Sequence, residues 1–162
     1  MPRITEKEAG GRNMLAFLDM LAWSEIGERL LAASDDGYNV IVGGGQFKGY
    51  ADHPRLLVDL PKLGIKSSAA GRYQLLQRYW DAYRVQLGLK GFSPENQDRI
   101  AIQQIRERRA IPDIQAGRTE DAILKVKNIW ASLPGAGYGQ HEQKLEKLLA
   151  AYAKAGGTTR LG

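Results

Sequence analysis

Glu25 lies on a helix face that should bury leucine. Met14, Phe17, Leu18 and Leu21 recur at helical spacing, and Glu25 follows Leu21 by four positions and Leu18 by seven. A carboxyl group there faces the core or the wall of a cleft. Burial disfavours its charged form and raises its pKa. A carboxylic acid that keeps its proton near neutral pH can serve as the general acid that a glycosidic leaving oxygen requires. The alternative is a structural glutamate, paired with a buried arginine or capping a loop, since structural ion pairs also perturb pKa values.

Other chemistries find little support. The chain has no cysteine, which excludes disulfides, thiolate nucleophiles and thiolate metal sites, and its two histidines argue against a histidine-rich metal centre. His53, within Asp52-His53-Pro54-Arg55, reads as part of a polar turn, and His141 as a solvated residue opening a charged helix. Neither sits beside a nucleophile motif. No Gly-Lys-Ser/Thr follows a glycine at P-loop spacing. No metal or other cofactor is expected.

Four groups of residues have the composition of a cleft that takes an extended glycan. They are Trp23-Ser24-Glu25, Tyr38-Asn39 with Gly43-Gly44-Gly45, Ser67-Ser68 through Arg72-Tyr73-Gln74, and Trp130 with Gly135 to Gln140. Glycine-rich turns allow close backbone approach, aromatic rings stack on sugar faces, and amides and hydroxyls bond to sugar hydroxyls and acetamides. Each group also has an ordinary reading: Gly135 to Gly139 as a helix connection, and Tyr73, Trp80 and Trp130 as core.

The elements that must position these groups divide the chain into three stretches. Residues 12–33 read as one helix starting near Gly11 or Asn13 and weakening at Ile26-Gly27, where it ends or bends. Residues 36–70 read as a small antiparallel hairpin region, with a strand over Tyr38 to Val42 broken by Gly43-Gly44-Gly45 and a second apolar run at Leu56-Leu57-Val58. Such a hairpin must pack on helices to be stable. Residues 72–155 read as helices again. An aromatic-rich segment spans Tyr73 to Tyr83, a second helix is capped by Ser93 with Pro94 in its first turn, a third starts at Thr119 and runs through Trp130, and a last one carries Leu145, Leu148, Leu149 and Tyr152. Helices with strands segregated to one side make an α+β architecture. With 162 residues, 43% of them hydrophobic and 25% charged, the chain suits one soluble globular domain spanning residues 1–162.

Several of these segments together resemble the phage lambda type endolysins. They are Phe17-Leu18-Asp19-Met20-Leu21-Ala22-Trp23-Ser24-Glu25, Gly37-Tyr38-Asn39-Val40-Ile41-Val42-Gly43-Gly44, and Tyr50-Ala51-Asp52-His53-Pro54-Arg55. Further along come Ala70-Gly71-Arg72-Tyr73-Gln74-Leu75-Leu76, Tyr79-Trp80-Asp81-Ala82-Tyr83-Arg84, and Asn128-Ile129-Trp130-Ala131-Ser132-Leu133-Pro134 continuing to Gln140. The resemblance runs from about residue 14 to residue 159. Two departures stand out. Glu25-Ile26-Gly27-Glu28 occupies the place where the family often has Glu-Gly-Thr, and Asn39 stands where an Asp occurs in the family.

The resemblance implies a lysozyme-like fold with a cleft between a hairpin lobe (36–70) and a helical lobe (12–33 and 72–155). It implies a lytic transglycosylase that breaks the β-1,4 bond between N-acetylmuramic acid and N-acetylglucosamine and leaves a 1,6-anhydro ring. Glu25 matches the family's catalytic glutamate. In that reading Asn39, Ser68, Tyr73, Gln74, Tyr138 and Gln140 are the candidates for positioning the glycan. A monomer held in the host cytoplasm until a separate holin releases it is expected, since the charged N-terminus does not read as a signal peptide and Met14 to Trp23 is too short to span a bilayer.

The alternatives are a hydrolase that recruits Asp35, Asp36 or Asp52 as second carboxylate, and a non-catalytic wall-binding module that tolerates loss of Glu25. A nucleic-acid partner is not expected, because Lys and Arg are dispersed and form no recognition stripe.

The net charge of +5 suits a polyanionic partner such as a cell wall. Activity on peptidoglycan is therefore expected to fall as NaCl rises from about 0.05 to about 0.5 M, where screening shortens to a few ångströms. A turbidity-clearing assay across that range checks this, and a flat profile refutes it.

Overall fold

The computed structural model describes residues 1–137 and 141–160. Among them the elements run α1 (Glu6–Ala9), α2 (Arg12–Ile26), α3 (Glu28–Ala33), β1 (Val58–Leu60), β2 (Ile65–Ser67), α4 (Gln77–Gln86), α5 (Pro94–Glu107), α6 (Ile111–Gln115), α7 (Thr119–Val126) and α8 (Leu145–Lys154). No helix among the described residues is long and apolar enough to cross a membrane.

Helix α2 organises the larger core. Met14, Leu15, Ala16, Phe17, Leu18, Met20, Leu21 and Ala22 are all buried, more than one helix face can hold. The helix is therefore enclosed, and it packs against α1, α3, α6 and α8. Burying each of its large apolar side chains contributes roughly 1.5–3 kcal/mol. A smaller apolar cluster gathers Ala70, Leu75, Trp80, Phe92 and Ile100 beneath α4 and the preceding loops. Helix α5 joins the two, because Ile100 belongs to the smaller cluster while Ala101, Ile102 and Ile105 belong to the larger.

The long helix expected over 12–33 is two helices. Gly27, at φ 88° and ψ 150°, leaves helical geometry, and its N–H closes the last turn on the Trp23 carbonyl. A left-handed φ is cheap for glycine and costly for other residues, so the break falls there. Asn13 does not cap α2. Its side chain ties the Ile114 carbonyl and the Thr158 backbone instead.

The strand expected over Tyr38 to Val42 reduces to isolated bridges, Val40 with Gln46 and Ile41 with Ala70. Tyr38 is drawn fully into the core, where its hydroxyl meets Asp98. The paired hairpin lies further along, with Val58 opposite Ser67, Asp59 opposite Lys66 and Leu60 opposite Ile65, closed by a Pro61–Gly64 turn. The aromatic segment begins its helix at Gln77, so Tyr73 lies in the turn before it. Ser93 caps α5 through the Asn96 N–H, with Pro94 in the first turn, as the sequence predicts. The third helix stops at Val126, short of Trp130, and the last begins at Leu145, beyond His141. His53 is buried, not solvated. Its Nδ1 accepts from the Arg55 N–H, its Nε2 lies 2.9 Å from the Leu75 carbonyl, and burial lowers its pKa.

A buried polar network fastens these parts. Asp98 on α5 accepts from the Arg3 and Ile4 backbone N–H groups and from the Tyr38 and Tyr73 hydroxyls, at 2.7–3.1 Å. Arg72, 1% exposed, donates to Asp19 on α2, to the Asp36 carbonyl and to the Tyr73 hydroxyl. Gly71 allows this approach, for a Cβ there would lie 2.4 Å from Gln97 Oε1. Asp98→Ala would leave the Tyr38 and Tyr73 hydroxyls and the Ile4 N–H without their acceptor, and the Arg3 N–H with the Tyr38 hydroxyl alone. It is expected to cost about 3–5 kcal/mol in urea unfolding, and a loss under about 1 kcal/mol would show the network to be dispensable.

Candidate active site

Glu25 is the penultimate residue of α2, ahead of the Gly27 break. Its backbone is fixed by the most enclosed helix in the molecule, so its carboxyl group is held by rigid structure. The Ser132 hydroxyl lies 3.1 Å from Glu25 Oε1 and 2.7 Å from the Ser24 hydroxyl. Burial pushes the Glu25 pKa up from an ordinary 4.5 to about 7, and hydrogen bonds from the Ser132 side chain and backbone oppose that rise. The C-terminal end of a helix dipole further disfavours negative charge at this position.

No ion pair forms with Glu25 among the described residues, which removes the reading in which it neutralises a buried arginine. The buried arginine, Arg72, pairs with Asp19 at 2.5 Å.

Ser132 is delivered by the segment after α7. The Trp130 indole N–H donates to the Tyr73 carbonyl at 3.1 Å, and the Ser132 carbonyl accepts from the Gln143 N–H at 2.7 Å. The glycine-rich loop beyond is braced by Glu142, which accepts from the Gly135 and Gly137 N–H groups at 3.0 Å each; those two bonds hold its pKa down. Tyr138 and Gln140 lie outside the described residues.

The remaining candidates for glycan contact have defined structural partners. Asn39 accepts from the Asp35 N–H and donates to Gln46, which closes the turn after α3. Ser68 accepts from the Gln77 N–H at 3.0 Å and so satisfies the first N–H of α4 from the loop that precedes it. Tyr73 is buried, with its hydroxyl on Asp98. Gln74, at φ 53°, donates to the Gly71 and Val40 carbonyls. Tyr73 and Gln74 also line one groove together with Trp130 and Asn128, while the Asn39 turn and Ser68 are not part of its lining.

The three carboxylates available to a two-carboxylate mechanism are engaged elsewhere. Asp35 accepts from Tyr50 and pairs with Arg3, and these contacts, the Tyr50 bond first, hold its pKa down. Asp36 pairs with the Met1 amino group at 2.5 Å and lies 3.5 Å from Arg72. Asp52, bonded to Arg55 and to the Trp80 indole, is held down to about 2. All three are paired, and the partners of Asp35 and Asp52 favour their charged forms, which suits fastening loops better than exchanging protons.

Sequence reasoning missed Ser132 as a partner of Glu25. Its presence in the Asn128-to-Gln140 segment was the available signal, but a serine 107 positions away from Glu25 has no spacing rule to single it out.

Comparison with known proteins gives one consistent result. Residues 15–159 match the endolysin family model. The chain is 60% identical over 147 residues to the endolysin of Escherichia phage lambda, covering 90% of this chain and 92% of that protein. It is 52% identical over 155 residues to the endolysin of Escherichia phage P2, covering 90% and 94%. The structure superimposes on bacteriophage lambda lysozyme complexed with a chitohexasaccharide at a TM-score of 0.86, with 55% identity over 99% of this chain and 100% of that one. A second structure of lambda lysozyme gives 0.84 at 53% identity over the same shares. The fold is thus lysozyme-like, and with a family match running from residue 15 to residue 159 the chain belongs to the endolysins, enzymes that degrade the bacterial cell wall.

Proposed function

We propose that this endolysin is a lytic transglycosylase in which Glu25 acts first as acid and then as base. The observation that carries the reading is electrostatic. Burial lifts the Glu25 pKa to about 7; Asp98, also raised by burial, is locked by four hydrogen bonds, and Asp35, Asp36 and Asp52 are committed to other partners.

The proposed sequence needs one carboxyl group. Protonated Glu25 gives its proton to the glycosidic oxygen as the C1–O bond breaks, and positive charge develops at C1 of the muramic acid. The substrate's own acetamide stabilises that charge. The C6 hydroxyl oxygen then bonds to C1 while its proton passes to the Glu25 carboxylate. The ring closes to a 1,6-anhydro product, no water is consumed, and Glu25 regains the proton it gave. A pKa near 7 suits both halves, because the group must release and recover a proton at similar cost.

Glycan as the substrate is supported by the hexasaccharide bound to the related lambda lysozyme. In this reading the chain is a single catalytic domain with its cleft between the hairpin and helical parts. Asn39, Ser68, Tyr73 and Gln74 shape that cleft by holding its loops, and Tyr138 and Gln140 contribute from the Gly135–Gln140 loop. The enzyme acts as a monomer, without metal or cofactor, after a holin releases it from the host cytoplasm to the wall.

Glu25→Gln is expected to fold normally and lose at least about 1,000-fold in lytic rate, since it removes the only proton donor in the scheme; activity near wild type rejects the assignment. Mass spectrometry of released muropeptides tests the chemistry. Products lacking one water, without a reducing muramic acid end, support the transglycosylase. A reducible muramic acid end means hydrolysis and a second carboxylate.

Ser132→Ala removes a hydrogen bond that favours the charged form of Glu25, so its pKa rises further. Activity depends on the protonated acid and falls as pH climbs through that pKa. The alkaline limb of the pH–rate profile in the variant is therefore expected to move up by about one pH unit. A downward shift or none refutes the role given to Ser132.

A further inference from the structure

A groove of about 370 Å³ runs between the Tyr73–Leu76 turn, α4, the C-terminal half of α5 and the segment leading to Ser132. Trp130 forms part of its wall and is bonded to the Tyr73 backbone, and Ser132, two residues further on, bonds to Glu25, so one short segment serves both the groove and the catalytic carboxyl. Its polar groups differ in whether they are already used. Gln74 is spent on two backbone carbonyls. Glu107 accepts from the Tyr83 hydroxyl at 2.5 Å and from Gln103 at 3.3 Å. Arg108 and Gln104 also line the groove, and neither side chain has a hydrogen-bond or ion-pair partner among the described residues. The Arg108 guanidinium is exposed, at the end of α5, and its charge acts on the Tyr83 phenol across the groove.

A glycan backbone presents hydroxyls and acetamides, which call for aromatic faces and neutral hydrogen-bonding groups. It offers nothing that needs a guanidinium. The carboxylates of peptidoglycan are carried by the peptides that hang from muramic acid. An uncommitted arginine on the wall of a groove that shares the Trp130–Ser132 segment with the catalytic carboxyl is matched to that group, since a guanidinium binds a carboxylate through two parallel hydrogen bonds.

We propose that Arg108 is a specificity-determining residue that binds a stem-peptide carboxylate of the glycan lying in this groove, with the free Gln104 amide available to the adjoining peptide or acetamide. The inference rests on the peptidoglycan-cleaving reading above. It makes the enzyme a reader of peptide-bearing strands, and it places that reading at α5, away from the proton transfer at Glu25.

The test compares two substrates, soluble glycan strands with their stem peptides and the same strands after an amidase has removed them. Rates of wild type, Arg108→Gln and Arg108→Lys are measured at low ionic strength. Arg108→Gln is expected to lose about fivefold in kcat/KM on peptide-bearing strands, the scale of one exposed charge pair, mainly through KM. It should match wild type on peptide-free strands, and Arg108→Lys should fall between the two. Equal rates, or an equal loss on both substrates, in a series whose wild type cleaves both would overturn the role of Arg108 alone. A wild-type protein that cleaves neither substrate overturns the peptidoglycan-cleaving reading and this inference with it.

Discussion

The structure depends on a buried arginine and a buried aspartate that never touch each other directly. Arg72 and Asp98 share Tyr73 as a common neighbour, with the Tyr73 hydroxyl 3.0 Å from the guanidinium and 2.7 Å from the carboxylate. Through this relay Asp19 on α2, Asp36 and Tyr38 after α3, the N-terminal backbone and α5 meet at one point. Charges removed from water are tolerated only when every lone pair and proton is used, and no buried side-chain polar atom among the described residues lacks a partner. The loops on either side of α2 owe their positions to this network more than to strand pairing, which is confined to two three-residue strands and a few bridges.

That arrangement separates two kinds of carboxyl group. Asp19, Asp35, Asp36, Asp52 and Asp98 accept several hydrogen bonds or pair with cations, and they serve as fasteners. Among the described residues Glu25 has no cation partner, and Ser132 moderates the effect of its burial. Environment gives chemically similar acids different duties. The carboxyl suited to moving a proton is the one at the end of the enclosed helix α2 that the buried network leaves alone.

The aromatic and amide residues illustrate a related division. Tyr73 has its hydroxyl deep in the core and its backbone carbonyl on the Trp130 indole, so it links the network to the segment carrying Ser132. Ser68 and Asn39 likewise spend their side chains on the backbone of neighbouring segments. Polar residues near a cleft are often its scaffolding, because loops without secondary structure still have to satisfy their backbone groups.

What the sequence by itself determined is local. The helical period placed Glu25 on the core-side face of α2, Ser93-Pro94 marked the start of α5 and Thr119 the start of α7, while Ile26-Gly27 marked a place to end or bend without deciding which. Ordered motifs spread over most of the chain also carried the family resemblance. These signals are legible because they act over one or two turns, where periodicity, capping and glycine geometry dominate. Only the tertiary structure decided that Tyr38 turns inward and forgoes a strand, that His53 is buried, and that Ser132 moderates Glu25. It alone showed that Asp35, Asp36 and Asp52 are already engaged and that Arg108 is not. Each depends on groups far apart in the chain, and no residue spacing encodes which of two equally polar side chains will find a partner when the core closes.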